Sequence, residues 1–282
     1  MGRSLTRLLV TLAIASLVTA CGSNPPSAGS DGPPSSSGSV GRLPDDPIPR
    51  PEAKSRYGNG PNYEVFGKPY TVMPSAVGYR ERGVASWYGK KFHGNLTSNR
   101  EVYDMHQMTA AHKTLPLPTY VRVRNLSNNR TIVVRVNDRG PFVHNRIIDL
   151  SYAAAQKLDI VTNGTGLVEV EAITFESGGS AQPTRQAAAP APTSTPVEPR
   201  PVAKPNQIYV QIGAFGSKAN ADRRLELLRS GGIGAAAVNI DNSVSPPLYR
   251  VRMGPVQGVD QYDLLVEELA KLGIVDPIIV TD

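Results

Sequence analysis

The feature that most limits how this chain can fold is a pair of stretches that cannot fold alone. From Gly22 to about Pro51 the sequence is Gly, Ser and Pro with scattered charges, and from about Ser177 to Pro205 it is mostly Ala, Pro, Thr and Gln. Neither holds enough large apolar side chains to offset the entropy lost on ordering a chain. The first reads as a disordered tether, the second as an extended linker of polyproline character. Two segments remain, about 62–176 and 206–282, and each must build its own core. Cys21 is the only cysteine, so the chain forms no internal disulfide, and thiolate metal clusters and cysteine nucleophiles are excluded.

At the N-terminus Arg3 and Arg7 precede an uncharged apolar run, Leu8 to Ala20, that contains Thr11 and Ser16 and ends in small residues. A bilayer span needs roughly 20 apolar residues, so residues 1–20 are expected to be a cleaved secretory leader. Val18, Thr19, Ala20 and Cys21 resemble the bacterial lipobox, which implies a diacylglycerol on Cys21 and a lipid-anchored protein of the cell envelope. Gly22, rather than an aspartate, follows the cysteine and resembles the default for sorting to the outer membrane. The formal net charge of +6 includes the leader's arginines. In that compartment an anionic envelope polymer explains a mildly basic surface better than nucleic acid does.

The first segment should be mostly β. Tyr120–Leu126 alternates Val121 and Val123 with Arg122 and Arg124, and Thr131–Val136 places Ile132, Val134 and Val136 on one side, with Ser127, Asn128 and Asn129 turning between them. Leu167–Ile173 is a further strand, and Ser151 can cap a short helix through Leu158. The second segment reads as strand Ile208–Ile212, helix Ser217–Arg229, strands Ala236–Ile240 and Tyr249–Met253, a helix capped by Asp260 and ended by Gly273, and strand Pro277–Val280. That order is βαββαβ, a small ferredoxin-like α+β sandwich.

All four histidines, His93, His106, His112 and His144, fall in the first domain, but their spacing matches no metal motif and no cofactor is expected. Acids are more informative, because glycosidic cleavage needs a carboxyl group to protonate the leaving oxygen. Asp138 follows an alternating strand and precedes Arg139, Gly140 and Pro141, where a carboxylate can point into a cleft; spacing alone favours the simpler role of starting the turn or pairing with Arg139. Glu101 and Asp104 lie in the irregular polar segment TSNREVYDM, and Asp149, in RIIDL, can be a buried structural acid. Trp87 and Tyr88 can line a sugar groove or pack a core, and as strand neighbours they should face opposite ways.

The strings GVASWYGKKFHGNLTS, EVYDMHQMTAAHKTLPLPTYVRVRNL and VVRVNDRGPFVHNRIIDLSYAAAQKL closely resemble the rare lipoprotein A family. The resemblance implies a six-stranded double-psi β-barrel and a lytic transglycosylase that cuts the β-1,4 bond between N-acetylmuramic acid and N-acetylglucosamine without water. It also implies Asp138 as acid/base, Glu101 as second catalytic carboxylate and His112 as a supporting polar residue. Arg139 is a candidate to tune Asp138 or to hold a lactyl carboxylate, by charge and position. The family usually has Asn-Gly-Glu where this chain has Asn99, Arg100 and Glu101, so a turn that a glycine would ease must be made otherwise.

In the second domain YVQIGAF (Tyr209–Phe215) and YRVRMGPV (Tyr249–Val256) resemble the sporulation-related repeat, or SPOR domain, a module that binds glycan strands stripped of stem peptides. Gln211, Phe215, Arg250 and Arg252 are its candidate contacts, and a sheet face carrying arginines would suit lactyl carboxylates. Expected partners are therefore denuded peptidoglycan strands, the membrane through the lipid on Cys21, and divisome proteins at the septum. The competing expectation is an expansin-like binder that loosens wall polymers without cutting them.

Overall fold

The computed structural model describes residues 32–34, 42–143, 145–175 and 207–282. The expected leader, Cys21, the linker at 177–205 and His144 lie outside the described residues.

A hairpin, β1 (Asn62–Val65) and β2 (Lys68–Thr71), precedes a closed six-stranded barrel. Its strands are β3 (Arg80–Tyr88), β4 (Thr109–His112), β5 (Thr119–Asn125), β6 (Thr131–Asp138), β7 (Arg146–Ser151) and β8 (Thr165–Ile173), in spatial order β3-β7-β4-β6-β5-β8. The pairs β3/β7 and β4/β6 are parallel and the other pairs antiparallel, the mixed closure of a double-psi barrel. Closure removes free strand edges. Alternation sends Val121 and Val123, Val134 and Val136, Ile148 and Leu150, Val168 and Val170 into one core, each at 0% exposure. At about 1.5–3 kcal/mol per buried aliphatic side chain, this interior is the main stabilising element. On the outer wall Glu169 takes Arg82 at 2.7 Å and Arg124 at 3.0 Å, a cross-strand ladder over β3, β8 and β5.

The expected phases of β5 and β6 hold, the strand expected at Leu167–Ile173 lies within β8, and Ser151 caps α1 (Tyr152–Leu158) by accepting from the Ala154 amide at 3.2 Å. β6 runs past Val136, so Asp138 is the strand's last residue. The β1–β2 hairpin went unpredicted. Its turn uses Phe66 and Gly67 at φ 51° and 73°, the left-handed pair of a type I′ turn, but Phe-Gly is a weak signal for it compared with Asn-Gly.

Residues 42–61 correct the tether expectation. They form neither helix nor strand, yet they strap the barrel. Asp46 accepts from Lys157 Nζ at 2.5 Å and from the Val133 amide at 2.7 Å. The Ser55 amide donates to Leu117 O at 2.8 Å, and the Asn59 side chain pairs with both backbone groups of Leu117, at 2.7 and 2.8 Å. The composition is that of a tether because polar bonds, not apolar burial, fasten this segment.

The second domain has β9 (Ile208–Phe215), α2 (Lys218–Ser230), β10 (Ala236–Asp241), β11 (Leu248–Met253), α3 (Val259–Lys271) and β12 (Ile278–Thr281), the expected βαββαβ order. Its antiparallel sheet runs β10-β11-β9-β12. Val210, Val251 and Ile279 of the sheet share a core with Ala221 and Leu228 of α2 and Leu269 of α3. One detail differs: Gly258 holds the N-cap position of α3 without a side-chain bond, and Asp260 sits in the first turn instead, where its charge meets the positive end of the helix dipole.

Candidate active site

The loop Thr97–Glu101 lies along the C-terminal half of β6, and this contact sets both candidate carboxylates. Asp138 Oδ1 accepts from the Ser98 amide at 2.8 Å, from Ser98 Oγ at 2.6 Å and from the Arg139 amide at 2.7 Å. Among the described residues its Oδ2 accepts no hydrogen bond. Glu101 is gripped differently. Arg135 Nη1 donates to Oε1 at 2.9 Å and Oε2 at 2.7 Å, and Asn137 Nδ2 donates to Oε2 at 2.8 Å. Burial pushes the Glu101 carboxyl up, but the bonds from Arg135 and Asn137 outweigh it and hold the pKa below the ordinary value. Glu101 is therefore a fixed anion at neutral pH.

The loop itself resolves the question raised by Arg100. Thr97 N donates to Glu101 O at 2.8 Å and Arg100 N to Thr97 O at 2.9 Å, while Asn99 Oδ1 accepts from Thr97 Oγ1 at 2.6 Å and from Glu101 N at 3.2 Å. These bonds hold Arg100 at φ 73°, the left-handed conformation a glycine would take, at a cost of about 1–2 kcal/mol. The guanidinium rests over the Tyr57 ring at 5.5 Å. The turn closes without the glycine.

Two sequence candidates have other duties. The guanidinium of Arg139 donates from Nε and Nη2 to Gly58 O (2.9 and 2.7 Å), from Nη2 to Asn59 Oδ1 (3.3 Å), and from Nη1 to His112 O (3.1 Å) and Leu115 O (2.6 Å). All five N–H donors of a guanidinium are thereby engaged, which leaves none for a lactyl carboxylate. Arg139 is a clamp between the strap and the end of β4. His112 is 3% exposed; its Nδ1 accepts from the Thr114 and Leu115 amides at 3.2 and 3.0 Å, and its Nε2 meets Tyr79 Oη at 2.7 Å. Burial, aided by the charges of Arg139 and Lys113, drives its pKa down to about 3. The ring is a neutral structural group bonded away from both carboxylates, and only the His112 backbone carbonyl, on Arg139, reaches the site's frame.

Of the paired aromatics, Tyr88 is enclosed, stacked on Tyr103 at 4.2 Å with Phe92 edge-on at 5.9 Å. That removes it from any ligand surface. Trp87 is half-buried and packs on Tyr152 at 5.5 Å. The aromatic wall beside Asp138 comes from residues the sequence reading did not select. Tyr63 and Phe142, with Gly58, Gly60, Val65, Ser98 and Arg139, line a cleft of about 320 Å³. Ser98 belongs both to this cleft and to the support of Asp138. Asp149 lies two strands from Asp138, on β7 beyond β4, its carboxylate bonded to Ser86 Oγ.

In the second domain the sheet arginines are already paired. Arg250 donates to Asp241 from Nε at 2.8 Å and lies at 3.4 Å from Gln211 Oε1, and Arg252 pairs with Asp282 at 2.9 Å. Gln211 is 7% exposed. Phe215 lies under Arg224 at 5.9 Å, and with Asn220, Arg223 and Leu227 these residues line a groove of about 360 Å³.

Residues 80–171 match the family model described as lytic transglycolase, and residues 204–281 match the SPOR domain. A protein of Pseudomonas aeruginosa named endolytic peptidoglycan transglycosylase RlpA is 39% identical over 86% of this chain and 81% of its own length. The chain belongs to the RlpA family. A relative of the same name from Vibrio cholerae is 40% identical over 77% of this chain and 75% of its own. Among solved structures, the Streptomyces papain inhibitor is similar over 34% of this chain and 96% of its own, at 25% identity and a TM-score of 0.29. Within this RlpA-family barrel, Glu101, Asp138 and their loop-and-strand frame fall inside the matched segment, whereas the strap and the β1–β2 hairpin precede it.

Proposed function

We propose that this RlpA-family chain is an endolytic peptidoglycan lytic transglycosylase in which Asp138 moves the proton and Glu101 supplies a fixed charge. The observation that carries this reading is the contrast in support within one frame: Glu101 is held by a cation, whereas Asp138 is held through one oxygen by neutral donors. Asp138 protonates the oxygen leaving C1 of N-acetylmuramic acid as the C1–O bond breaks. The ionised Glu101 stabilises the positive charge that develops on the sugar. The muramyl 6-hydroxyl then attacks C1 and returns its proton to Asp138, closing a 1,6-anhydro ring with no water consumed. The acid ends as it began, so a single group serves both steps.

The SPOR domain holds the glycan, with a preference for strands lacking stem peptides, and a lipid on Cys21 anchors the chain to the outer membrane on its periplasmic side at the division septum. The lipobox-like tetrad and the domain match support this part. Anchor and binding module together raise the local concentration of strand at the barrel, so weak sugar affinity suffices.

Mass spectrometry of the products from amidase-treated peptidoglycan tests the reaction, with Asp138→Asn beside the parent. Anhydromuramyl ends from the parent alone are expected. Reducing ends would indicate a hydrolase, and retained glycan binding without products would favour the expansin-like binder.

A further inference from the structure

The strap contributes one acid to this site. Glu52 lies outside the segment matched by the family model. Its Oε1 accepts from Arg135 Nε at 3.1 Å and its Oε2 from Arg135 Nη2 at 2.8 Å, while Tyr120 Oη also donates to Oε1. Arg135 thus gives one edge of its guanidinium to Glu52, and the remaining Nη1 meets both oxygens of Glu101. The side chains of Glu52 and Arg135 are each 19% exposed. Because the guanidinium is a rigid planar fork, fixing one edge fixes the direction of the other.

We infer that Glu52 is a positioning residue: through Arg135 it aims and holds Glu101, so the strap belongs to the catalytic domain and is more than its tether. This rests on the role given to Glu101 above. The groups around the triad are Arg50 at 3.6 Å and Tyr120 on Glu52, and Asn99 and Asn137 on Glu101. Hydrogen bonding from Arg135 holds Glu52 at about 2 against the opposing effect of burial. The acid therefore stays charged over the working pH range and keeps Arg135 seated. A residue that merely fastened the strap would act on stability alone. Asp46 fastens the same strap at Lys157 and the Val133 amide without touching Arg135, and so serves as the control.

The test measures kcat, KM and pH profile of the full chain on peptidoglycan strands lacking stem peptides. Glu52→Ala should lower kcat on the order of tenfold with KM unchanged, and its acid limb should move to higher pH because Glu101 loses the donor that depresses it. Glu52→Gln keeps one acceptor for Arg135 and most of the packing, so it should fall between Ala and parent; it carries the test if the alanine variant fails to fold. Asp46→Asn should lower the melting temperature and leave kcat alone. In a Glu101→Gln background, Glu52→Ala should cost nothing further. A parental kcat and pH profile for Glu52→Ala, an equal loss in Asp46→Asn, or additive losses in the double variant would each overturn the positioning role. If Glu101→Gln alone is fully active, the reading of Glu101 fails and takes this role with it; if it is impaired and Glu52→Ala is not, only the role of Glu52 fails.

Discussion

Arg135 and Arg139 stand four positions apart, each beside one of the two carboxylates, and their bonding is opposite. The guanidinium of Arg135 gives its donors to acids, Glu52 and Glu101, while that of Arg139 gives all of its donors to backbone carbonyls and the Asn59 amide oxygen. One arginine sets a charge and the other sets a shape. The Glu101 end of the site is therefore electrostatically committed, since its anion is held by a cation. At the Asp138 end, the backbone is pinned while one carboxylate oxygen stays open. A site that must move a single proton twice needs both conditions, in different residues.

This contrast can be broken by substitution, and the largest effect belongs to Asp138. Asp138→Asn keeps an oxygen for the Ser98 bonds but has no proton to give, so turnover should fall about 10³-fold while the melting temperature holds. Glu101→Gln keeps an acceptor for Arg135 and loses only charge; a loss on the order of 10²-fold in kcat is expected, with the base limb of the pH profile retained and the acid limb, which reports ionisation of Glu101, lost. The two arginines should then separate by readout. Arg139→Met strands the carbonyls of Gly58, His112 and Leu115 and should cost about 2–3 kcal/mol in denaturant unfolding, whereas Arg135→Met should lose more in kcat than its stability loss explains.

His112 sharpens the shape side. Its pKa falls from 6.5 to about 3 on folding, so the folded state resists a proton that the unfolded chain takes. The associated stability is complete above pH 6.5 and is lost as pH falls toward 3, on the order of 4–5 kcal/mol in all. His112→Asn, which keeps an acceptor for the Thr114 and Leu115 amides, should flatten that part of the stability curve. The smallest effect is at Arg100: replacement by Gly relieves a positive φ and should raise stability by about 0.5–1 kcal/mol.

Much of the fold was legible because its physics is local. Valines at alternate positions of β5 and β6 declare a buried face, Ser151 starts a helix through its hydroxyl, and Gly273 ends one through the positive φ that it adopts. The roles of Arg139 and Glu52 were not legible for the converse reason. Arg139 bonds to backbone carbonyls, which every residue has, and they come from positions 58, 112 and 115. Glu52 sits among prolines and charges that look like a tether, and its partner lies 83 residues away. His112 was placed at the site by resemblance, but the direction of its ring depends on which side of β4 faces inward, and a four-residue strand gives too short an alternation to decide that. The Tyr63 and Phe142 wall arises from a hairpin and a loop that meet only in three dimensions.

The measurement that tests the division of labour most directly is the pH dependence of anhydromuramyl product formation in Asp138→Asn and Glu101→Gln, side by side. The proton-moving role of Asp138 predicts that Asp138→Asn is nearly inactive at every pH, while Glu101→Gln is slower, loses the acid limb and retains the parental base limb. A Glu101→Gln variant that loses the base limb, beside an Asp138→Asn variant that keeps substantial activity, would contradict it and exchange the two roles.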